Sequence, residues 1–218
     1  MLNLAFDTTA GACSVAVTQD DKVLERKIEK MEFGQAEVLF PIIQAMLHKN
    51  NLTPKNLDLI TVCCGPGSFT GVRSSLAVAR TLGLALPDVK ITGVSAFEAY
   101  MEDLKDDELA EINAVIIETK REDFYFQSFD KKRNKISEPE ALAYGDIVNL
   151  LRHKKITLIG NGVERFLFKP SGLSLHVIRM EEFSSIKALA KCGERKLKKN
   201  VLNYPKPLYL RAPDVCMP

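Results

Sequence analysis

Residues 2–29 read LNLAFDTTAGACSVAVTQDDKVLERKIE, and this opening stretch decides the fold. Apolar residues run together over residues 2–8 and alternate with polar ones over 13–18 and 22–29, with Asp20-Asp21 between the last two segments. Alternation with a period of two around a short polar turn is typical of paired strands. The stretch therefore predicts a three-stranded antiparallel meander.

Beyond the meander, helical and strand patterns alternate, and the whole order then recurs. In the first half we predict helices at 35–49, 68–86 and 96–104 and strands at 57–63 and 90–94. In the second half we predict strands at 114–119 and 123–129, a third strand starting near Ile136, helices at 146–153, 163–168 and 184–199, and strands at 156–159 and 173–178. Repetition at this length indicates two lobes, with residues 1–105 in the first and 106–218 in the second.

A β-β-β-α-β-α-β-α unit that occurs twice is the architecture of the actin, Hsp70 and sugar-kinase superfamily. We therefore expect an actin-like α/β fold, in which each lobe is a mixed sheet with flanking helices and a nucleotide site lies between the lobes. Fold alone does not assign a function, so the sites have to be found from the residues.

The composition describes a folded chain of 218 residues that is 46% apolar and 27% charged, with a formal net charge of +2. The near balance of positive and negative charge argues against a protein that binds nucleic acid over its whole surface. Five cysteines without a CxxC pair indicate neither a disulfide framework nor a zinc knuckle. The start of the chain does not resemble a signal peptide, and no apolar run approaches the length of a membrane span. We expect a cytoplasmic location without membrane contact.

The most conspicuous segment is GPGSFTG at residues 65–71, which follows a predicted strand and opens a predicted helix. Backbone N–H groups and the helix dipole can bind an anion at such a position. However, no Lys-Ser/Thr pair follows as in a Walker loop, and the glycine spacing is one residue too long for a dinucleotide fingerprint. We favour a tight strand-to-helix turn with Ser68 as the N-cap, with phosphate binding as the alternative.

Carboxylates end the first predicted strand of each lobe, where an actin-like nucleotide site needs them. Asp7 precedes Thr8 rather than a glycine turn, and no glycine follows Glu118. Gly160 and Gly162 could mark a residual turn on the adenosine side, and Asp7 could instead cap a local turn. These five residues are candidates for a vestigial nucleotide site, and we expect no bound cofactor.

Other catalytic chemistries find little support. The three histidines lie far apart in sequence and form no HxxxH or HExxH pair, so we predict no metal site. Adjacent Cys63 and Cys64 should point to opposite faces of a strand, which predicts one core thiol and one partly exposed thiol without a nearby histidine. The six Lys and Arg residues of 184–199 accompany only Glu194, which suits either a solvated helix face or an RNA contact. We assign no catalytic residue.

The helices at 35–49 and 68–86 carry more apolar surface than one buried face requires. The second also has a stripe of small side chains that would let a neighbouring helix approach closely. This excess predicts a protein–protein interface, unless both helices are sandwiched between the sheet and later elements. The candidate interface residues are Val38, Ile42, Met46, Gly71, Arg73, Ser74, Ser75, Val78, Thr81 and Leu82.

Together these segments resemble the TsaB (YeaZ-like) family of bacterial tRNA threonylcarbamoyladenosine biosynthesis proteins. The similar stretches are LAFDTTAGACSVAV at 4–17, the ExLxP motif at 37–41, GPGSFTGVR at 65–73, Gly93-Val94-Ser95 and Tyr209-Leu210-Arg211. They cover nearly the full chain, and GPGSFTGVR is the most specific. Two departures occur: Gln35 replaces a common histidine, and Glu122 replaces a glycine that often follows the first strand of the second lobe.

The resemblance implies a non-catalytic subunit that binds and activates the catalytic paralogue TsaD, together with the ATPase TsaE. The assembly transfers a threonylcarbamoyl group to N6 of adenosine 37 in tRNAs reading ANN codons. In the family, the two first-lobe helices form the surface for TsaD docking or self-dimerisation, so the free chain is expected to be a homodimer that meets tRNA only through the complex. The HxxxH pair with which TsaD holds its metal is missing here.

Two other interpretations compete with this one. The first is a small actin-like ATPase or peptidase with its own active site, which the lack of glycine after Glu118 disfavours. The second is an RNA-binding module that uses residues 184–199. Tight magnesium-dependent ATP binding would favour the first, and steeply salt-dependent tRNA binding by the isolated chain would favour the second.

Overall fold

The computed structural model describes residues 1–211 and divides the chain into two compact units. The first unit contains residues 1–105 and 181–207, and the second contains residues 106–180 together with 208–211. Each unit is built on one five-stranded mixed sheet with flanking helices. This confirms the predicted α/β architecture of two similar lobes. No helix within the described residues is long and apolar enough to cross a bilayer.

The first unit opens with the predicted meander. Its elements are β1 (Leu2–Asp7), β2 (Ala12–Gln19), β3 (Lys22–Lys30), α1 (Gln35–Lys49), β4 (Leu59–Cys63), α2 (Phe69–Ala85), β5 (Lys90–Val94) and α3 (Ala96–Asp103). The sheet order is β3-β2-β1-β4-β5. β1, β2 and β3 pair antiparallel, whereas β4 pairs parallel with both β1 and β5.

The second unit repeats this topology. Its elements are β6 (Ile112–Glu118), β7 (Asp123–Asp130), β8 (Glu140–Ala143), α4 (Tyr144–Leu151), β9 (Lys155–Ile159), α5 (Val163–Leu167) and β10 (Ser174–Arg179). The last helix of the chain, α6 (Ile186–Lys198), follows β10 in sequence but belongs to the first unit. The order β8-β7-β6-β9-β10 matches the first sheet strand for strand. The third strand starts at Glu140 rather than near Ile136, because Lys135 makes only an isolated bridge to Phe129.

Helices cover both faces of the first sheet, which explains why β1 and β4 are buried along their whole length. α1 and α2 pack on the face to which Leu2, Leu4 and Phe6 point. α6 packs on the opposite face, where the amide of Asn3 donates to the Ala190 carbonyl oxygen at 3.2 Å.

The position of α6 differs from the domain assignment made from the repeat. The repeat placed residues 184–199 in the second lobe, whereas the structure packs them with residues 1–105. Gly193 makes this possible, since a Cβ there would lie 2.0 Å from the Thr61 hydroxyl oxygen on β4. A side chain at this position would push the helix off the sheet.

Candidate docking surface and nucleotide-site remnants

α1 and α2 lie side by side on the sheet and leave one long face each outside the core. Leu84 is 87% exposed at the end of α2, and Phe40 is 52% exposed in the middle of α1. Phe69, at the start of α2, is also exposed, and the Arg73 guanidinium stacks over its ring at 5.0 Å. Three large apolar side chains are therefore exposed on two adjacent helices, and exposed apolar area of this kind is often buried on association.

The ten predicted interface residues divide by their burial. Ile42, Met46, Gly71, Ser75 and Leu82 are buried in the first unit. Val38, Ser74 and Val78 are half-buried, whereas Arg73 and Thr81 are exposed. The five buried residues belong to the side of each helix that meets the sheet, so they cannot present their side chains on an outer surface. We therefore remove these five residues from the predicted surface and keep Arg73 and Thr81, which are exposed.

The corrected outer surface of the two helices is formed by Phe40, Gln44, Phe69, Thr70, Arg73, Ala77, Thr81 and Leu84. We call this set the outer helix surface. The sequence analysis missed Phe40 and Leu84, although helical steps of three or four residues lead from Arg73 through Ala77 and Thr81 to Leu84. This helical spacing is visible in the sequence, but spacing alone does not show which of the two stripes of a helix faces the core.

The glycine-rich turn before α2 packs directly against the end of β1. The Ser68 N–H donates to the Thr9 carbonyl oxygen at 2.7 Å, and the Ser68 hydroxyl caps α2 by accepting from the Gly71 N–H at 3.3 Å. A Cβ at Gly67 would lie 2.2 Å from the Thr9 oxygen, and one at Gly71 would lie 1.9 Å from the Thr8 oxygen. The predicted strand-to-helix turn with Ser68 as the N-cap is confirmed, and its glycines permit close backbone packing.

The buried carboxylate of Asp7 has both oxygens engaged within the first unit. Oδ1 accepts from the Thr9 N–H at 2.7 Å, and Oδ2 accepts from the Ser184 hydroxyl at 3.1 Å. Thr8 is completely buried, and its hydroxyl donates to the Gly71 carbonyl oxygen at 2.7 Å and lies 2.5 Å from the Ser75 hydroxyl. The alternative in which Asp7 caps a local turn matches this geometry.

Glu118 in the second unit is bound by an arginine that the sequence analysis did not identify. The Arg165 guanidinium donates to both carboxylate oxygens, at 2.6 and 2.8 Å, and stacks 3.8 Å from the centre of the Phe124 ring. Partial burial acts to raise the pKa of Glu118, but the hydrogen bonds and charge of Arg165, together with the backbone N–H groups of Lys120 and Thr119, lower the pKa below its ordinary value. The Glu118 carboxylate is therefore already neutralised by Arg165 of the same unit.

The glycine pair near this carboxylate is used for packing as well. Gly160 has a φ of +129°, and a Cβ there would lie 2.2 Å from the Ile116 carbonyl oxygen. A Cβ at Gly162 would lie 3.0 Å from the Glu118 nitrogen. Between the two glycines, the Asn161 side chain accepts from the Glu118 N–H at 2.9 Å. The turn therefore holds the chain against β6.

The two adjacent cysteines at the end of β4 are both buried, so the predicted partly exposed thiol is wrong. Burial raises the pKa of the Cys64 thiol to about 11 and that of the Cys63 thiol well above its ordinary value. Cys64 follows the last residue of β4, and its sulfur packs against Gly93, where a Cβ would lie 2.5 Å from Sγ. Residues 1–211 contain no cluster of His, Cys, Asp or Glu suited to a metal ion.

The cations of α6 are mostly paired inside the first unit. Lys191 and Arg195 both bind Glu102, Lys196 binds Glu98 at 3.1 Å, and Lys198 binds Asp21 at 2.9 Å. Glu194 does not accompany these cations on the exposed face. It is 1% exposed and accepts hydrogen bonds from Asn3 and Thr18 at the sheet.

Comparisons with known proteins agree with this geometry. A family model described as "TsaD: tRNA N6-adenosine threonylcarbamoyltransferase" matches residues 34–210. The TsaB protein of Bacillus subtilis (strain 168) is 33% identical over 98 residues, which are 45% of this chain and 42% of that protein. The TsaB protein of Buchnera aphidicola subsp. Baizongia pistaciae is 28% identical over 171 residues, which are 75% of this chain and 76% of that protein.

Among solved structures, YeaZ from Pseudomonas aeruginosa has the same fold, with a TM-score of 0.79 over 96% of this chain and 99% of that chain at 20% identity. The family model covers well over half of the chain. The chain therefore belongs to the tRNA N6-adenosine threonylcarbamoyltransferase (TsaD) family, within which it is similar to the TsaB (YeaZ) proteins.

Proposed function

We propose that this chain is a non-catalytic subunit of tRNA threonylcarbamoyladenosine biosynthesis that binds a TsaD-type catalytic paralogue through its outer helix surface. Membership of the family supports a role in this tRNA modification. The observation that carries the docking proposal is the exposure of Leu84 and Phe40 on adjacent helices. A partner helix that covers them would remove their apolar area from water.

An apolar cavity beside the outer helix surface supports the same role. It has a volume of about 240 Å³ and is lined by Phe40, Ile43, Leu47, Leu52, Leu57 and Leu82, among others. Because Phe40 belongs both to this cavity and to the exposed surface, a side chain from a docked helix could enter it directly. Buried anchors of this kind dominate the energy of protein–protein interfaces.

The non-catalytic assignment is supported by the two carboxylates that stand where an actin-like nucleotide site needs them, because both are already bound by other residues of the chain. Asp7 is bound by Thr9 and Ser184, and Glu118 is bound by Arg165. In this proposal the partner performs the transfer to adenosine 37, a TsaE-type ATPase joins the assembly, and this chain shifts the partner towards its competent conformation. Without the partner, the same surface would pair two copies of the chain.

The test replaces one exposed leucine on the proposed surface and one elsewhere. Leu84→Glu places a charge on the outer helix surface, whereas Leu150→Glu makes the same change on α4, where Leu150 is 57% exposed. Loss of one buried leucine is worth about 1.5–3 kcal/mol, so Leu84→Glu should weaken partner binding by at least about 10-fold. Light scattering of each variant mixed with the TsaD-type partner measures the mass of the complex.

A transfer assay on unmodified tRNA with the partner and the ATPase provides the functional readout. Leu84→Glu is expected to reduce modification in proportion to the loss of complex, while Leu150→Glu stays at the wild-type level. Both variants should unfold at the same denaturant concentration as the wild type, since neither side chain is in the core. A Leu84→Glu chain that still forms the full-mass complex would refute the proposed surface.

A further inference from the structure

Two loops of the second unit concentrate positive charge. Residues 131–135 (KKRNK) form the turn after β7, and residues 152–155 (RHKK) connect α4 to β9. Together they hold seven Lys and Arg residues and no Asp or Glu. Residues 106–180 as a whole contain twelve basic and twelve acidic residues. The second unit has no net formal charge as a whole, but seven of its twelve basic residues are concentrated in these two loops.

The sheet register brings the two loops to the same end of the second unit. Ile112, the first residue of β6, lies between Asp130 of β7 and Ile156 of β9. The first loop begins directly after Asp130, and the second ends directly before Ile156. Since neighbouring strands are separated by about 4.8 Å, the two loops emerge about 10 Å apart. We call them together the basic end.

Most cations of the basic end are not in an ion pair, although Lys132 interacts electrostatically with the neighbouring Asp130 carboxylate. Arg133 pairs with Asp106 at 2.8 Å, and Lys154 pairs with Glu111 at 2.9 Å. Within residues 1–211, the remaining five form no ion pair, and all five are exposed: Lys131, Lys132, Lys135, Arg152 and Lys155. The cations of α6, in contrast, are largely neutralised by Glu98, Glu102 and Asp21.

The first loop is also held in one shape. The Asp130 carboxylate accepts from the N–H groups of Lys132 and Asn134, both at 2.8 Å, and from the Asn134 amide at 2.9 Å. The Arg133 N–H donates to the Asp130 carbonyl oxygen at 3.0 Å, closing the turn. The lysine side chains therefore extend outward from a fixed backbone, which lowers the entropy lost when they bind a ligand.

We infer that the basic end binds the sugar-phosphate backbone of tRNA. This inference rests on the proposed function, and it adds a direct contact where the family resemblance implied only an indirect one. Exposed Lys and Arg side chains that form no ion pair supply the salt-dependent, sequence-independent part of nucleic-acid binding. An acidic protein surface is the other polyanion that could meet this end, and tRNA is favoured because it is the substrate of the proposed assembly.

The test removes three charges at the basic end and three at a matched site. The loop variant is Lys131→Gln with Lys135→Gln and Lys155→Gln. The control variant is Lys22→Gln with Lys55→Gln and Lys90→Gln, which are exposed lysines of the first unit without an ion pair in the described residues. Each chain is assembled with the TsaD-type partner, and binding of an unmodified tRNA transcript is titrated between 50 and 200 mM salt.

Loss of three phosphate contacts should lower the slope of log affinity against log salt by about 2 to 3. Over this fourfold range of salt, wild-type affinity should then fall roughly 20- to 40-fold more than that of the loop variant. The control should keep the wild-type slope. An unchanged slope in an intact complex would overturn the inference and leave the proposed function standing. A loop variant that fails to assemble with the partner would also overturn it, since the basic end would then bind a protein.

Discussion

Gly71→Ala should destabilise the first unit, because the added methyl group has no space. Its Cβ would lie 1.9 Å from the Thr8 carbonyl oxygen and 2.9 Å from the Thr8 carbonyl carbon. Ordinary van der Waals contact begins near 3.4 Å, so α2 and the end of β1 would have to separate by about 1.5 Å. Both atoms belong to the backbone, so a change of rotamer cannot relieve the contact.

The separation breaks a specific set of hydrogen bonds. The Thr8 hydroxyl donates to the Gly71 carbonyl oxygen at 2.7 Å, and the Thr8 N–H donates to the Ser75 hydroxyl at 3.2 Å. Each buried hydrogen bond contributes about 1 kcal/mol, and overpacking adds about 1–3 kcal/mol. We expect the free energy of unfolding to fall by about 3–5 kcal/mol, which for a chain of this size lowers the melting temperature by about 6–20 °C.

Gly145→Ala is the matched control, since Gly145 lies in the first turn of α4 and a Cβ there meets nothing within 4 Å. Alanine favours a helix over glycine by about 1 kcal/mol, so this variant should be as stable as the wild type or slightly more stable. Urea unfolding followed by circular dichroism measures both. If Gly71→Ala unfolds within about 0.5 kcal/mol of the wild type, the close approach of Thr8 does not require glycine at this position and the packing argument is refuted.

Two further predictions concern buried titratable groups. Burial, and then the neighbouring Asp21 carboxylate, raise the pKa of Glu194, so its contribution to stability is present at acidic pH and is lost as the pH rises through that raised value. Glu194→Gln should therefore gain stability relative to the wild type as the pH rises above the ordinary value for Glu of 4.5, and a difference in unfolding free energy that does not change with pH would contradict this. The four cysteines within residues 1–211 are buried, and burial raises the pKa of Cys64 to about 11. In a Cys216→Ser chain, a thiol reagent should label these four only after denaturation, and rapid labelling of the native chain would disprove it.

The local elements of this chain could be predicted well. α1 and β5 have the predicted bounds, and Ser68 is the N-cap of α2 as its position before a helical pattern indicated. These features depend on neighbours a few residues away, so the sequence window contains the interactions that form them. The third strand of the second unit was misplaced because an apolar residue at 136 lies on an exposed bend.

The site residues were predicted less well, because their roles depend on distant partners. Arg165 reaches Glu118 from 47 positions away, and Ser184 reaches Asp7 from 177 positions away. No motif or spacing marks such pairs. Both carboxylates were recognised as candidates, yet only the folded chain shows that each is already engaged.

Periodicity and turn chemistry determined by themselves that this chain consists of a duplicated α/β unit with two helices of excess apolar surface. Only the tertiary structure decided which stripe of each helix remains outside, and it exposed Leu84 while it buried Leu82 and Ser75. It also decided that α6 completes the first unit and that the lysines after β7 and before β9 share one end of a sheet. The physical reason is that the repeat pattern depends on residues close together in sequence. Burial and charge pairing depend on segments that are distant in sequence and that come into contact only when the sheets and helices pack.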